Sequence, residues 1–501
     1  MGIKRFYIDK DATITNAYKE NLTTRATGSN MGASDILEVF TIYAQVNTAS
    51  SEESKVLMNV PVGEITTART NEDIPASGSV SFFLRLFNAE HAQTLPTNYH
   101  MQICAVTKSF DEGYGLDMNG YTDPGAPSDH GTNWEYASAT DAWEETDDVP
   151  DHGFFSGSTN KYDFSASFGT EGTEDIEVDI SSLIEDWISN LPELSGNYGI
   201  GVRVAPVSAS LAKSFYTKKF HARNSEFFFK RPVVEARWNS SKKDDSANFY
   251  ASSSLVPSAD NLNTLYLYNY VRGQLKNIPA IDGGPIYVSV YSGSTPDNES
   301  PGDNIITLPA DDQSAGGVAA AGDTNVTGGL HETGVYTASF AYTSSADTIF
   351  PVWHFNGTNY HTGSAITVNT YGAASHNPMP THVTKITNLK SVYSQEESAR
   401  FRLYIREKDW SPTIYTKATT DIENSIIEDA HFKIVRALDN HEIIGYDTGS
   451  NGTLLSYDAS GSYFDLDMSL FEKDYAYEIK LSYKVNGKFR EQKDTFKFRV
   501  E

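Results

Sequence analysis

From Tyr475 to Val485 the chain alternates without a break: Tyr475, Tyr477, Ile479, Leu481, Tyr483 and Val485 are apolar or aromatic, and mostly polar residues stand between them. A period of two belongs to an extended strand, whose successive side chains point to opposite faces, one buried and one wet. The run ends at Asn486-Gly487, a pair suited to a tight hairpin turn because both residues accept positive φ. The chain returns through Phe489 to Thr495-Phe496-Lys497-Phe498-Arg499-Val500. The same alternation recurs at Phe401, Leu403 and Ile405 between Arg400, Arg402, Tyr404 and Arg406, and at Tyr336, Ala338, Phe340 and Tyr342. An abundance of Tyr, Phe, Thr and Val points the same way, since these residues suit a pleated, half-buried surface.

At about 100–200 residues per domain, 501 residues make roughly three. A first module spans 1–240 and carries strands at 79–87, 98–106, 198–204, 214–216 and 231–238. Its stretch 111–160 is long, acidic and rich in turns, the kind of irregular segment that is a functional loop or disordered. Residues 241–262, rich in Ser, Asp, Asn and Lys, read as a linker. A second module, 263–383, has Ile286, Val288 and Val290 on one strand face, a Gly-, Asp-, Ala- and Pro-rich excursion over 292–334, and a hairpin turn at Asn356-Gly357. The third, 384–501, holds the strict alternation, and its turn signals about every ten residues point to an immunoglobulin-type sandwich. One helix interrupts the β pattern. Ser182-Leu183-Ile184-Glu185 has the form of a capping box, and Leu183, Ile184, Trp187 and Ile188 share a helical face.

The balance of 39 basic against 66 acidic residues, −27 overall, repels nucleic acid and anionic membranes, so neither is expected as a partner. Lys218, Lys219, His221, Arg223, Lys230 and Arg231 crowd one basic stretch, read here as a solvated strand face. The single cysteine, Cys104, lies in an apolar strand and precludes any intrachain disulfide. Residues Met1–Asp9 contain no apolar core of a signal peptide, and no run of about 20 apolar residues could span a membrane as a helix. A β-rich chain without disulfides or leader fits a protein folded in bacterial cytoplasm and released in an assembled particle.

Sequence motifs for chemistry are missing: no G-x-S-x-G, H-E-x-x-H or P-loop occurs. Glu144, Glu145, Asp147 and Asp148 would offer a calcium ion several hard oxygens. They do not follow EF-hand spacing, and a plain acidic loop is the competing reading. No other cofactor is expected. Trp134 and Trp143, with Tyr121 and Tyr136, lie among Asp and Asn in the acidic loops. Such rings would stack on a sugar; alternatively the tryptophans pack the loops onto the sheet.

The first module resembles DNRLRE-type domains. The resemblance rests on Asp11-Ala12-Thr13-Ile14-Thr15, Asn30-Met31-Gly32-Ala33-Ser34, Phe110-Asp111-Glu112-Gly113, Thr132-Asn133-Trp134 and Val178-Asp179-Ile180-Ser181 leading to Trp187. It continues in Tyr198-Gly199-Ile200-Gly201-Val202, Phe220-His221-Ala222-Arg223-Asn224-Ser225 and Arg231-Pro232-Val233-Val234-Glu235. It covers roughly 240 residues and implies a β jelly roll of bacterial surface or phage proteins, with no catalytic residues. The later modules resemble immunoglobulin-like domains of tailed-phage virion proteins, through Gly334–Phe340 with Trp353 and through Tyr457–Asp465 with Phe496–Glu501. The expected fold is therefore all-β: a jelly roll with one short helix, then two immunoglobulin-like sandwiches. The expected role is structural, without enzymatic activity, in the neck, tail, baseplate or head surface of a virion. The expected partners are other virion proteins and copies of the chain itself in a symmetric ring or lattice. The alternatives are a glycan-binding adhesin for a host surface polysaccharide and a polysaccharide depolymerase; the latter usually shows a fixed β-helix repeat, which is not seen.

Overall fold

The computed structural model describes residues 2–47, 50–91, 100–116, 131–143, 163–169, 172–190, 196–205, 215–281, 283–293, 304–308, 324–372, 380–408 and 424–501. Two units emerge: Gly2–Asn239 with Gly449–Gly452, and Ser240–Thr448 with Thr453–Glu501. Both are built from β-strands, as the alternation predicts.

The strands of the first unit are β1 (Ile3–Tyr7), β2 (Lys10–Thr15), β3 (Ile36–Tyr43), β4 (Ser51–Asn59), β5 (Ser81–Leu86), β6 (His100–Ala105), β7 (Asp163–Ser167), β8 (Ile176–Asp179), β9 (Ile200–Val204), β10 (Phe215–His221) and β11 (Val233–Arg237). They form nested antiparallel pairs: β1 with β11, β3 with β10, β4 with β9, β5 with β8, and β6 with β7 innermost. Nesting of this kind is one long hairpin. Rolling it up yields two sheets, β1-β11-β5-β8 and β10-β3-β4-β9-β6-β7, with β2 added beside β4. That is a jelly roll. Strand alternation sends Phe82 and Leu84 from β5, Val56 and Met58 from β4, and Met101 and Ile103 from β6 into one shared core, all fully buried.

Among the described residues two α-helices occur here, where the sequence predicts one. Helix α1 (Val62–Thr70) leaves β4, and α2 (Ser181–Ile188) leads into β9. Both therefore stand where the rolled hairpin crosses from the β4·β9 pair to the β5·β8 pair. The Arg69 guanidinium clamps the Glu185 carboxylate with two bonds of 2.7 and 2.6 Å. Helix α2 buries Leu183, Ile184 and Trp187 as expected, but the capping box does not form. Asp179 accepts from Ser181 N at 2.9 Å, the Ser181 hydroxyl accepts from Phe82 N at 2.7 Å, and Glu185 is committed to Arg69. Helix α1 escaped notice because Val62, Gly63, Ile65 and four threonine-or-glutamate neighbours make a weak helix former; burial of Val62, Ile65 and Ala68 holds it.

The larger sheet carries a second apolar layer. Ile14, Leu57 and Cys104 join Val106, Phe110, Trp134, Ala137 and Trp143 in a separate buried cluster. Leu57 and Cys104 alternate with the residues facing the main core, so this cluster lies on the opposite face.

The second unit begins with β12 (Tyr250–Ala251), β13 (Leu262–Tyr268), β14 (Tyr270–Val271), β15 (Gln274–Leu275), β16 (Ile286–Ser292), β17 (Val326–Glu332), β18 (Val335–Ala341), β19 (Thr348–Phe355), β20 (Thr358–Thr362), β21 (Ile366–Thr367) and β22 (Asn369–Thr370). Strand β17 turns a corner. Val326–Gly328 pair with β16, whereas Gly329–Glu332 pair with β18. A Cβ on Gly328 would meet Thr337 O at 2.6 Å, so the corner requires glycine. Of the Gly-rich stretch 292–334 expected to be an excursion, the end is a strand over 326–332, while 294–303 and 309–323 lie outside the described residues. Residues 241–262 are not a linker either. Phe249 is fully buried, 5.7 Å from the rings of both Phe340 and Tyr342, and one large aromatic among polar neighbours is enough to fasten the segment to a core.

The last module comprises β23 (His382–Ile386), β24 (Val392–Tyr393), β25 (Ser398–Glu407), β26 (Ala430–Arg436), β27 (Glu442–Ile444), β28 (Ser456–Asp458), β29 (Gly461–Asp467), β30 (Ala476–Val485), β31 (Lys488–Glu491) and β32 (Phe496–Val500). Its sheets run β23-β25-β29-β28 and β24-β32-β30-β26-β27, with β31 beside β30. In chain order these are the A-B-E-D and G-F-C sheets of an immunoglobulin domain, and the short β24 pairs parallel with the last strand, β32. The preceding module repeats the device, with β12 parallel to β22. Near the start of β30, Tyr477 donates its hydroxyl to Glu472 O at 2.9 Å, a tyrosine corner. Two residues later, where antibody domains place a disulfide cysteine, stands Ile479. Stacked rings fill the centre instead: Phe432 lies 4.5 Å and Phe401 5.1 Å from Phe464.

Candidate functional site

The motif residues of the first unit, scattered along the sequence, meet in one polar knot. Arg223 holds Glu112 with two bonds of 3.0 and 2.8 Å, and its backbone N–H donates to Asp11 at 2.6 Å. The same Glu112 accepts from Asp11 N at 3.0 Å. Asn30 donates to the carbonyls of Glu112 and Thr132, both at 2.7 Å, and its oxygen accepts from Gly115 N. Burial, with the Glu112 charge adding to it, pushes the Asp11 carboxyl up to about 7 against the opposing bond from Arg223. These groups bond one another, so the knot braces loops.

Trp134 and Trp143 are each only 6% exposed. Trp143 donates its indole N–H to Asn133 O at 2.9 Å, and Lys55 Nζ lies 4.8 Å from the Trp134 ring centre. Neither offers a free face to a sugar, because both fill the second apolar layer. Tyr136 is half-buried beside them. Tyr121 and the carboxylates Glu144, Glu145, Asp147 and Asp148 lie outside the described residues. Among the described residues, no three His, Cys, Asp or Glu side chains gather in a manner that could hold a metal ion.

The basic stretch is not a solvated face. Lys218 is fully buried, with Nζ donating to Gly172 O at 2.8 Å and lying near the rings of Phe168 and Phe220. Burial lowers its pKa to about 8, against the pull of Glu174 and Asp175. Lys219 pairs with Glu38 and Arg223 with Glu112. A second charged cluster sits on β1, β5, β8 and β11. The buried Glu235 carboxylate takes bonds of 2.7 Å from both Arg5 and Arg237, with Arg85 at 3.4 Å, and Glu177 completes the set by accepting two bonds from Arg237. Burial alone would raise Glu235; the three guanidiniums outweigh it and hold the carboxyl far below its ordinary range. Such a carboxylate cannot deliver or take a proton near neutrality.

The second unit contains an open cleft of about 470 Å³, which nothing in the sequence pattern announces. The parallel β12·β22 pair positions one wall. Tyr250 and Tyr371 stack there, ring centres 4.6 Å apart at 22°, and the Tyr371 hydroxyl donates to Asp260 O at 3.2 Å. The other wall comes from the segment entering β26, with Ile426 and Ile427 followed by Glu428 and Asp429. Asp429 is paired with Lys484 Nζ at 2.8 Å, and that bond holds its carboxyl below the usual range. Glu428 is exposed and accepts from the Asn248 amide at 3.3 Å. The walls are tied nearby: the Tyr457 hydroxyl donates to Asp245 at 2.7 Å, and Asp244 N to Tyr457 O at 3.0 Å. Burial pushes the Asp244 and Asp245 carboxyls up to about 6.

No known protein-family model matches the chain, and no curated protein matches it in sequence. Among solved structures it is similar to the fibronectin(III)-like modules of Clostridium thermocellum CbhA, at 12% identity over 52% of this chain and 90% of that one, with a TM-score of 0.15. A marsupial T cell receptor matches at 10% identity over 48% of this chain and 68% of its own, TM-score 0.16. The Yersinia pseudotuberculosis adhesin InvE matches at 12% identity over 47% and 54%, TM-score 0.13. At scores this low the likenesses carry no argument; the immunoglobulin-like assignment rests on strand order, the parallel end strands and the tyrosine corner.

Proposed function

We propose that the chain is a structural component of a tailed-phage virion, without enzymatic activity, assembling through contacts with other virion proteins and with copies of itself. The observation that carries this reading is the way the immunoglobulin-like module closes. Ile479 stands at the disulfide position beside the tyrosine corner, a stack of Phe401, Phe464 and Phe432 fills the centre, and the sequence contains one cysteine, itself buried. A sandwich that needs no cystine can fold in a reducing compartment, as a particle protein made in cytoplasm must. The DNRLRE-type motifs support the same setting, since they converge on a network of hydrogen bonds that braces loops. Mass spectrometry of purified particles tests the proposal: this chain is expected at structural-protein abundance, and its absence from intact particles overturns the reading.

A further inference from the structure

We propose that the cleft lined by Tyr250, Tyr371 and Glu428 binds a neutral sugar residue of a polysaccharide. The size suits this ligand, because binding clefts run from about 300 to 1,000 Å³ and combine apolar walls with a few polar groups. The composition suits it too. One wall is a stacked tyrosine pair, and an aromatic face, carrying partial negative charge, attracts the weakly positive C–H face of a pyranose. Ile426 and Ile427 add apolar surface opposite, while Glu428 and Asn248 provide an acceptor and an amide at one edge. A carboxylate accepts strongly from hydroxyl donors, and a ring with several hydroxyls supplies them.

Charge narrows the class further. Among the described residues that line the cleft, the ammonium of Lys484 is bonded to Asp429 at 2.8 Å, which leaves Glu428 as the carboxylate available to a ligand. With the chain at −27 overall, uronic acids and sulfated or phosphorylated sugars are repelled. The site is distinct from the loops around Trp134 and Trp143, whose rings are spent on packing. It does not rest on the virion reading, and its test uses the purified chain with no particle present, so either proposal can fail alone.

The test is saturation-transfer NMR and calorimetric titration of the full chain with neutral oligosaccharides of glucose, galactose, mannose and N-acetylglucosamine. Oligogalacturonate serves as the anionic arm and Nα-acetyl-lysine amide as the cationic arm. At least one neutral sugar is expected to bind, with affinity falling at least tenfold in Tyr371→Ala and in Glu428→Gln. Glu428 is exposed, so Glu428→Gln keeps its fold and serves if Tyr371→Ala does not. Binding of the anionic or cationic probe alone, no binding of any neutral sugar, or neutral-sugar binding unchanged in Glu428→Gln overturns the proposal.

Discussion

Replacing Glu235 by Gln isolates the buried ion cluster of the first unit with almost no change of shape. The wild-type carboxylate, 2% exposed, answers three guanidiniums at 2.7, 2.7 and 3.4 Å. Gln keeps the volume but removes the charge, taking from Arg5 its bonded carboxylate at 2.7 Å, while Arg85 and Arg237 both retain Glu177. Breaking one partner out of a buried pair costs about 3–5 kcal/mol. A domain of this size loses about 2–4 °C of Tm per kcal/mol, so the first unit's transition should fall on the order of 10 °C by scanning calorimetry of the full chain. The acid limb gives an independent check. Because the folded carboxyl is held below its ordinary 4.5, its contribution is complete above that value and is lost as pH falls below it. Wild type and Glu235→Gln should therefore converge in acid. A shift under about 2 °C at pH 7, on the scale of an exposed pair, or a gap that persists undiminished to pH 2, would refute the reasoning.

Asp11 should behave with the opposite sign. Its carboxyl is raised from 3.8 to about 7, chiefly by burial, so folding takes up a proton; that stabilisation is complete below about 4 and is lost as pH rises through about 7. Calorimetry of Asp11→Asn should show less change in first-unit stability between pH 4 and pH 7.5 than wild type, by on the order of 4 kcal/mol at the usual 1.36 kcal/mol per unit. Tyr477→Phe should lower second-unit stability by about 1 kcal/mol, the worth of one hydrogen bond, measured by urea titration with an unchanged m-value; no loss would mean that the tyrosine corner is idle.

The strands were legible wherever one face is buried and the other wet, because that pattern is written locally. Phe401–Ile405 and Tyr477–Val485 are the clearest cases, and Asn356-Gly357 and Asn486-Gly487 take the positive φ their hairpins need. What the sequence hid depends on distant partners. Helix α1 is held by tertiary packing against its own propensity. Strand β17 hides behind Gly328 and Gly329, which serve a corner that exists only once β16 and β18 are in place. Phe249 looks like one aromatic in a polar linker until Phe340 and Tyr342 surround it. The cleft was illegible for the same reason, since Tyr250, Tyr371 and Glu428 are far apart in the chain. The tryptophans misdirect in the other direction: acidic neighbours suggest an exposed platform, while the ring area favours burial.

The nested hairpin and the parallel end strands imply different responses to tension. In the first unit Ile3 lies opposite Arg237, so the chain enters and leaves at one pole. A pull on those points opens the β1·β11 ladder rung by rung, like a zip. In the preceding module the first and last strands, β12 and β22, run the same way, and in the last module β24, which follows β23, runs parallel to the last strand, β32. The pull then slides them past one another and loads all the bonds of the short ladder at once. Because forced unfolding follows the unfolding rate rather than equilibrium stability, the two modules with the parallel clamp should outlast the jelly roll under load, whichever is the more stable at rest.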